Sequence, residues 1–228
     1  MKKALSYSEY WLYMNRHEEH HIKYVLGGDV PIPEEDKLKI YTGTAIHQWM
    51  ADPTKVELSE KGKCGSVIER FRELEYSNRE IVILRKLLDK AEGKRSDNPE
   101  VMIRAMLGDI ELFGIFDGLH NEDFLREYKT GPEDKWEQWM VDYNEQLSLY
   151  ALMYKLTYHK YFKGINLYAM NTTKGTCKTF KTARGPMDIK HMKNKVIKCV
   201  ESMKDEGIWH KRLSREERNK INQKKLLL

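Results

Sequence analysis

The chain is predicted to fold as an α/β protein, with a mixed central sheet flanked by helices and a helical elaboration at its N-terminus. Three observations point there. Residues 1–98 carry helical periodicities almost throughout. Three short runs rich in Val, Ile, Leu and Phe then follow between positions 101 and 130, separated by turn residues. After them come a long helical pattern, a strand pair and a last helix, an order that puts helices onto a mixed sheet. A length of 228 residues suits one domain, and neither an internal repeat nor a Pro/Gly/Ser-rich linker divides it.

Each element has its own signal. Leu5, Tyr10, Leu12, Tyr13, Ile22, Val25 and Leu26 recur at near-helical spacing, so a helix is expected over 5–26, stopped by Gly27-Gly28. Pro31 and Pro33 mark a loop. Thr44 is the expected cap of a helix that carries Ile46, His47 and Met50 and ends near Asp52-Pro53. A helical stretch covers 66–92, closed by Gly93 and a polar loop to Pro99. Residues 101–107, 110–119 and 124–130 should be successive antiparallel strands, turning at Gly108-Asp109 and at 120–123. Residues 139–158 form a long amphipathic helix. A hairpin follows over 165–170 and 177–182 about Thr173-Lys174-Gly175, and the last helix runs over 187–205 after Gly185-Pro186. The expected organisation is a mainly helical part over 1–98, a sheet core over 99–210 and a basic tail over 211–228.

Composition excludes some classes. With 40% hydrophobic and 33% charged residues, the chain has apolar material for a core and is not a disordered polyelectrolyte. No apolar run approaches the roughly 18 residues of a membrane span, and none follows the opening Met-Lys-Lys, so neither a membrane partner nor a secretory leader is expected. Cys64, Cys177 and Cys199 are odd in number and widely spaced, which suits reduced thiols in the cytoplasm. The net charge of +5 hides an asymmetry: residues 1–154 carry 21 Lys/Arg against 29 Asp/Glu, and residues 155–228 carry 19 against 6. The basic half is either a solvated face or a phosphate-tracking surface beside an acidic half, and charge alone does not choose.

Asp117 falls near the end of the second strand and Glu127 on the third, so a paired hairpin brings two carboxylates together. Hard cations such as Mg²⁺ take oxygen ligands, and two convergent carboxylates suit one. Lys129 lies two residues beyond Glu127 and therefore on the same strand face. A metal and an ammonium together polarise a phosphodiester and stabilise charge on its transition state. On these residues alone, an ordinary surface hairpin with an edge Glu and Lys is the commoner case.

The surrounding residues add more. Gly114-Ile-Phe-Asp117, Glu127-Tyr-Lys129-Thr-Gly131 and Gln146-Leu-Ser-Leu-Tyr150 resemble, in order, motifs of the RecB-like exonuclease branch of the PD-(D/E)XK nucleases. Leu5-Ser-Tyr-Ser8 and Gly43-Thr-Ala-Ile-His47 resemble the two motifs that precede them. The resemblance implies a restriction-endonuclease-like core, with Asp117, Glu127 and Lys129 catalytic and with Mg²⁺ or Mn²⁺ on His47, Asp117, Glu127 and the Tyr128 carbonyl. It also implies that Gln146 and Tyr150 hold the DNA strand. Lys174, Lys178 and Lys181 are the candidate phosphate contacts of the basic half. DNA is the expected partner, cut at its ends in recombination or repair, with any helicase or recombination protein a separate chain. An endonuclease on the same core and a catalytically silent DNA-binding subunit are the alternatives.

Several relatives in that branch carry four cysteines for an iron–sulfur cluster. Here Asn15-Arg16-His17 stands at the first cysteine position and no cysteine follows Cys199, so no cluster is expected. His17-Glu18-Glu19-His20-His21 satisfies the H-E-x-x-H zinc-protease pattern, but nothing downstream supplies a recognisable third ligand. A solvated helix face is the expectation there.

Overall fold

A computed structural model of the chain describes residues 4–59, 63–213 and 217, so most of the expected basic tail lies outside the described residues. The N-terminal part opens on a two-residue strand, β1 (Leu5–Ser6), followed by α1 (Tyr7–Asn15), α2 (His17–His20) and a π-helix (His21–Val25). The single helix expected over 5–26 is therefore divided. Ser6 caps α1 by accepting from the Glu9 N–H, which leaves Leu5 free to pair as a strand. Arg16 is non-helical at φ −146° and breaks the run. Helix α3 (Glu34–Ala51) begins just after Pro33, ten residues before Thr44. Thr44 is mid-helix, its hydroxyl returned to the Ile40 carbonyl, and the three acids of the first turn oppose the helix dipole instead.

A small ladder of β2 (Val56–Glu57) and β3 (Cys64–Gly65) precedes α4 (Val67–Glu73) and α5 (Asn78–Glu92). The stretch expected as one helix over 66–92 is two because Ser66 and Ser77 each start a capping box, with Glu69 and Glu80 as partners. Glu75, at φ 61°, turns the chain between them.

The sheet core follows the predicted order. β4 (Asn98–Leu107), β5 (Ile110–His120) and β6 (Phe124–Gly131) are antiparallel neighbours, and Gly108 takes the positive φ that a two-residue hairpin needs. Next come α6 (Gln138–Asp142) and α7 (Glu145–Tyr158). They are two helices rather than one, because Asn144 turns extended and caps α7 through the Leu147 N–H. β7 (Gly164–Asn171) returns parallel to β6, and β8 (Thr176–Thr182) pairs antiparallel with it about Gly175. Helix α8 (Pro186–Asp205) closes the core. The six-stranded sheet is mixed, with β1 running parallel to β5.

Period-two alternation splits the core into two layers. Leu125, Ile165 and Leu167 pack with residues of α1, α7 and α8 on one face, while Tyr128, Tyr168 and Met170 pack with α3, α4 and α5 on the other. The alternation slips once. Leu112 and Phe116 join the α7 layer, and so does Leu119, an odd step along β5. Opposite that slip the β4–β5 ladder skips Glu100 and Asp117, and Glu100 takes φ 50°. Distortions of this kind re-aim side chains at sheet edges.

Candidate functional site

β5 and β6 pair only through Gly118↔Arg126, Leu119↔Leu125 and His120↔Phe124. Beyond these residues the two strands part, and the same edge of β5 is next taken up by β1 at Leu112 and Phe113. The candidate site occupies the fork. Asp117, on the re-aimed stretch of β5, accepts from the Tyr128 N–H at 2.8 Å and lies 3.5 Å from His47 Nδ1. His47 comes from α3, its ring edge-on to Tyr128. Helix α3 can approach this closely because residue 43 is glycine: a Cβ there would lie 2.7 Å from Thr130 Oγ1 on β6.

From the other layer, Glu127 is 1% exposed and offers one oxygen to Lys129 Nζ at 2.7 Å. Its second oxygen, Oε2, is buried without a hydrogen-bond partner. Lys129 also donates to Gln146 Oε1 at 2.8 Å, Gln146 Nε2 donates to the Tyr150 hydroxyl, and that hydroxyl donates to the Ile115 carbonyl, both at 2.9 Å. Gln146 can reach Lys129 because the Asn144 cap places it in the first turn of α7.

The electrostatics follow from burial and from two carboxylates sharing one place. Burial and the adjacent Asp117 raise Glu127 from 4.5 to about 7, although Lys129 pulls it down. Asp117 goes the other way: the His47 hydrogen bond and charge, with the Tyr128 N–H, outweigh its burial and lower it. The same pairing raises His47 against its own desolvation, and Lys129 is raised by Glu127 despite burial. Two buried carboxylates pushed apart in this way beside a lysine mark a candidate functional site. Among the described residues, no three His, Cys, Asp or Glu side chains close on one point as a preformed metal cage.

The remaining predicted residues fall into two groups. Lys174 and Lys178 share Asp134 at 3.1 and 3.6 Å, so an acid partly neutralises them, while Lys181 is exposed on β8. Lys178 shares a narrow cleft with Lys129. Within the H-E-x-x-H stretch His17, Glu18 and His21 are exposed, as expected of a solvated face, and the exception is His20. His17 pairs with Glu206 at the surface, but His20 is fully buried, stacked on Tyr24 and 3.6 Å from Glu9, which Arg212 also holds. His21 opens the π-helix, yet its N–H still reaches the His17 carbonyl, so the two histidines keep the i, i+4 step; among the described residues no third ligand joins them. The cysteines sit separately: Cys64 exposed on β3, Cys177 against the α5 layer and Cys199 inside the α7 layer. The Ile115 carbonyl and Tyr7, which lines a cavity beside Gln146, were not predicted, because neither has a signal of its own in the sequence.

The family model for the PD-(D/E)XK nuclease superfamily matches residues 4–224, nearly the whole chain. The chain belongs to that superfamily. A crystal structure of a Eubacterium rectale protein, provisionally named an exonuclease, superposes on this PD-(D/E)XK nuclease with a TM-score of 0.57. The match covers 91% of this chain and 83% of that one at 11% identity, a likeness of fold. No curated protein matches the sequence significantly. Membership makes the chain a hydrolase of nucleic acid from a family that uses divalent metal ions. No helix among the described residues of the nuclease is long and apolar enough to cross a membrane.

Proposed function

We propose that the chain is a divalent-metal-dependent deoxyribonuclease of the RecB-like branch, acting at DNA ends in recombination or repair, with Asp117, Glu127 and Lys129 as its catalytic residues. The observation that carries this reading is Glu127 Oε2, a buried carboxylate oxygen without a partner beside a second carboxylate. A buried acceptor left in that state is costly, and a hard cation is the partner that oxygen donors suit. Asp117 and Glu127 would hold the ion. The Tyr128 carbonyl fits beside them, because an extended residue directs its C=O and N–H to the same side, and the Tyr128 N–H is turned toward Asp117. His47 completes the nitrogen and oxygen donor set. When bound, a divalent cation polarises the phosphodiester and lowers the pKa of water.

The protein's own groups do the rest. Lys129, held between Glu127 and Gln146, presents an ammonium where charge develops on the phosphate. Gln146 is fixed in turn by Tyr150, so the lysine is positioned before substrate arrives. Attack at ends is supported by the order of the five motifs and by the fold likeness to the provisionally named exonuclease. The test is digestion with Mg²⁺ or Mn²⁺ of a linear oligonucleotide and of a covalently closed single-stranded circle. Cleavage of the linear strand alone is expected. Cutting of the circle would make the enzyme an endonuclease on the same core, and full activity in excess chelator would sink the metal mechanism.

A further inference from the structure

Residues 93–97 join α5 to β4, and Lys94 to Asp97 each touch an element that carries a proposed metal donor. The Tyr128 hydroxyl donates to the Lys94 carbonyl at 2.9 Å and so accepts from Ser96 Oγ, 3.2 Å away. Arg126 donates to the Arg95 carbonyl. The Arg95 side chain donates through Nε to the Met50 carbonyl at 3.1 Å, with its guanidinium 5.8 Å from the centre of the Trp49 ring. Asp97 Oδ2 accepts from the Asn121 N–H at 3.1 Å and lies 2.7 Å from His120 Nδ1 at the end of β5. Ser96 sits so near β5 that a Cβ on residue 118 would lie 2.0 Å from its Oγ and 2.3 Å from its Cβ, so only glycine fits there. Each tie meets the chain beside a donor. Gly118 follows Asp117, Arg126 precedes Glu127, Tyr128 carries the donor carbonyl, and Met50 lies about one helical turn beyond His47. The Met50 tie has a further reason to form: carbonyls in the last turn of a helix lack a partner within it, and a guanidinium there also meets the negative end of the dipole.

We propose that residues 94–97 are a brace that fixes the separation of His47 from Asp117, and that Arg95 is a positioning residue acting on the metal site through α3. The inference rests on the metal reading above. His47 stands on a helix and the other proposed donors stand on the sheet, so their separation is set by how α3 packs on β6. The apolar layer between them attracts without direction and does not by itself fix a register. The bonds through Lys94, Arg95 and Ser96 are directional, and they join α3 to β6 through one short loop. Gly43 sets the approach of α3 on the N-terminal side of His47, and Arg95 holds the C-terminal side. Metal affinity depends on donors kept in place before the ion arrives, and loss of a group that orients a ligand commonly costs about 10–100-fold. A loop that served the fold alone would change the melting temperature and leave the metal affinity of the folded protein as it was.

The test is calorimetric titration of wild type, Arg95→Ala, Arg95→Lys and Tyr128→Phe with Mn²⁺, each below its Tm. Arg95→Ala should raise the Mn²⁺ Kd about tenfold. The Mn²⁺ concentration for half-maximal cleavage should move with it, while KM for DNA stays within about twofold. Arg95→Lys should recover most of the affinity, because an ammonium reaches the same carbonyl. Tyr128→Phe keeps the ring and the donor carbonyl but cuts the ties to Lys94 and Ser96, so it should weaken Mn²⁺ binding in the same direction even if Arg95→Ala fails to fold. In a His47→Ala background, Arg95→Ala should add less than about twofold, since its route to the metal has gone. An unchanged Kd in Arg95→Ala and Tyr128→Phe, or the full effect persisting without His47, would overturn the brace. The hold on α3 is scored separately in metal-free protein, where hydrogen exchange over 47–52 should quicken several-fold in Arg95→Ala. Unchanged exchange there would also refute the brace, whereas a wild type that binds no Mn²⁺ would refute the metal reading and leave the tie between loop and helix standing.

Discussion

Glu127 ties the chemistry of the site to the stability of the fold. Its carboxyl is held near pH 7 by burial beside Asp117, against an ordinary value of 4.5, so the folded protein keeps a proton there that the unfolded chain gives up. A folded-state pKa above the unfolded one contributes stability that is present at low pH and lost as pH rises through the folded value. The loss amounts to about 3 kcal/mol in full, at 1.36 kcal/mol per tenfold, with most of it falling between pH 5 and 8. Coupling to Lys129 and Asp117 makes this an upper figure. For a chain of this length it corresponds to a fall in Tm of roughly 5–10 °C. The assay is thermal unfolding of metal-stripped protein at pH 5, 6, 7 and 8, for wild type and Glu127→Gln. His47, also raised against its burial, owes that chiefly to Asp117, which both proteins keep, and in smaller part to Glu127, so most of its tilt cancels in the difference between them. The difference should grow with pH in chelator and reverse when Mn²⁺ binds the wild type through Glu127, with release of a proton on binding near pH 6. A difference that stays flat from pH 5 to 8 would mean that Glu127 holds no proton in the folded state, and the exchange of that proton for a metal would lapse.

Three further outcomes are expected. Asp117→Asn should weaken Mn²⁺ binding in calorimetry and abolish cleavage together, whereas Lys129→Met should keep or tighten metal binding and lose several orders of magnitude in single-turnover rate, since the ammonium acts on transition-state charge. Near wild-type cleavage by Lys129→Met would remove the lysine from the catalytic set. Gly43→Ala should cut kcat/KM by about 10–100-fold by pushing α3 and His47 off the fork, and Thr130→Ala in the same chain should restore most of it, because the clash is with Thr130 Oγ1. A double variant no better than Gly43→Ala would show that the contact does not position His47. Replacing Lys174, Lys178 and Lys181 by Ala should reduce the log–log salt slope of single-strand binding by at most about 2, at roughly 0.7 per phosphate, and by less if Asp134 already neutralises two of them; an unchanged slope would return the basic half to a solvated face.

How much of this was legible beforehand depended on the range of the interaction. The strands over 101–107, 110–119 and 124–130 and the final hairpin were read correctly because alternation, turn glycines and β-branched runs are local. The common face of Glu127 and Lys129 was legible for the same reason, since an i, i+2 step sets it, whereas the aim of Asp117 depends on the slip in β5 opposite Glu100, which no local pattern shows. The helix boundaries failed where one or two residues outweighed a periodic pattern: the serine caps at 66 and 77, Asn144 ahead of α7, and Arg16. Thr44 misled because a hydroxyl serves a cap and a mid-helix carbonyl equally well. Only the tertiary structure put Leu5 beside Leu112 as a strand, buried His20 against Tyr24 and Glu9, and brought α3 onto the fork from one layer while α7 reached it from the other. Such pairings join residues far apart in the chain, and no local spacing encodes them. The residue types were there in the sequence; the partners that give Glu127 its proton, and the cavity its walls, exist only once the layers close.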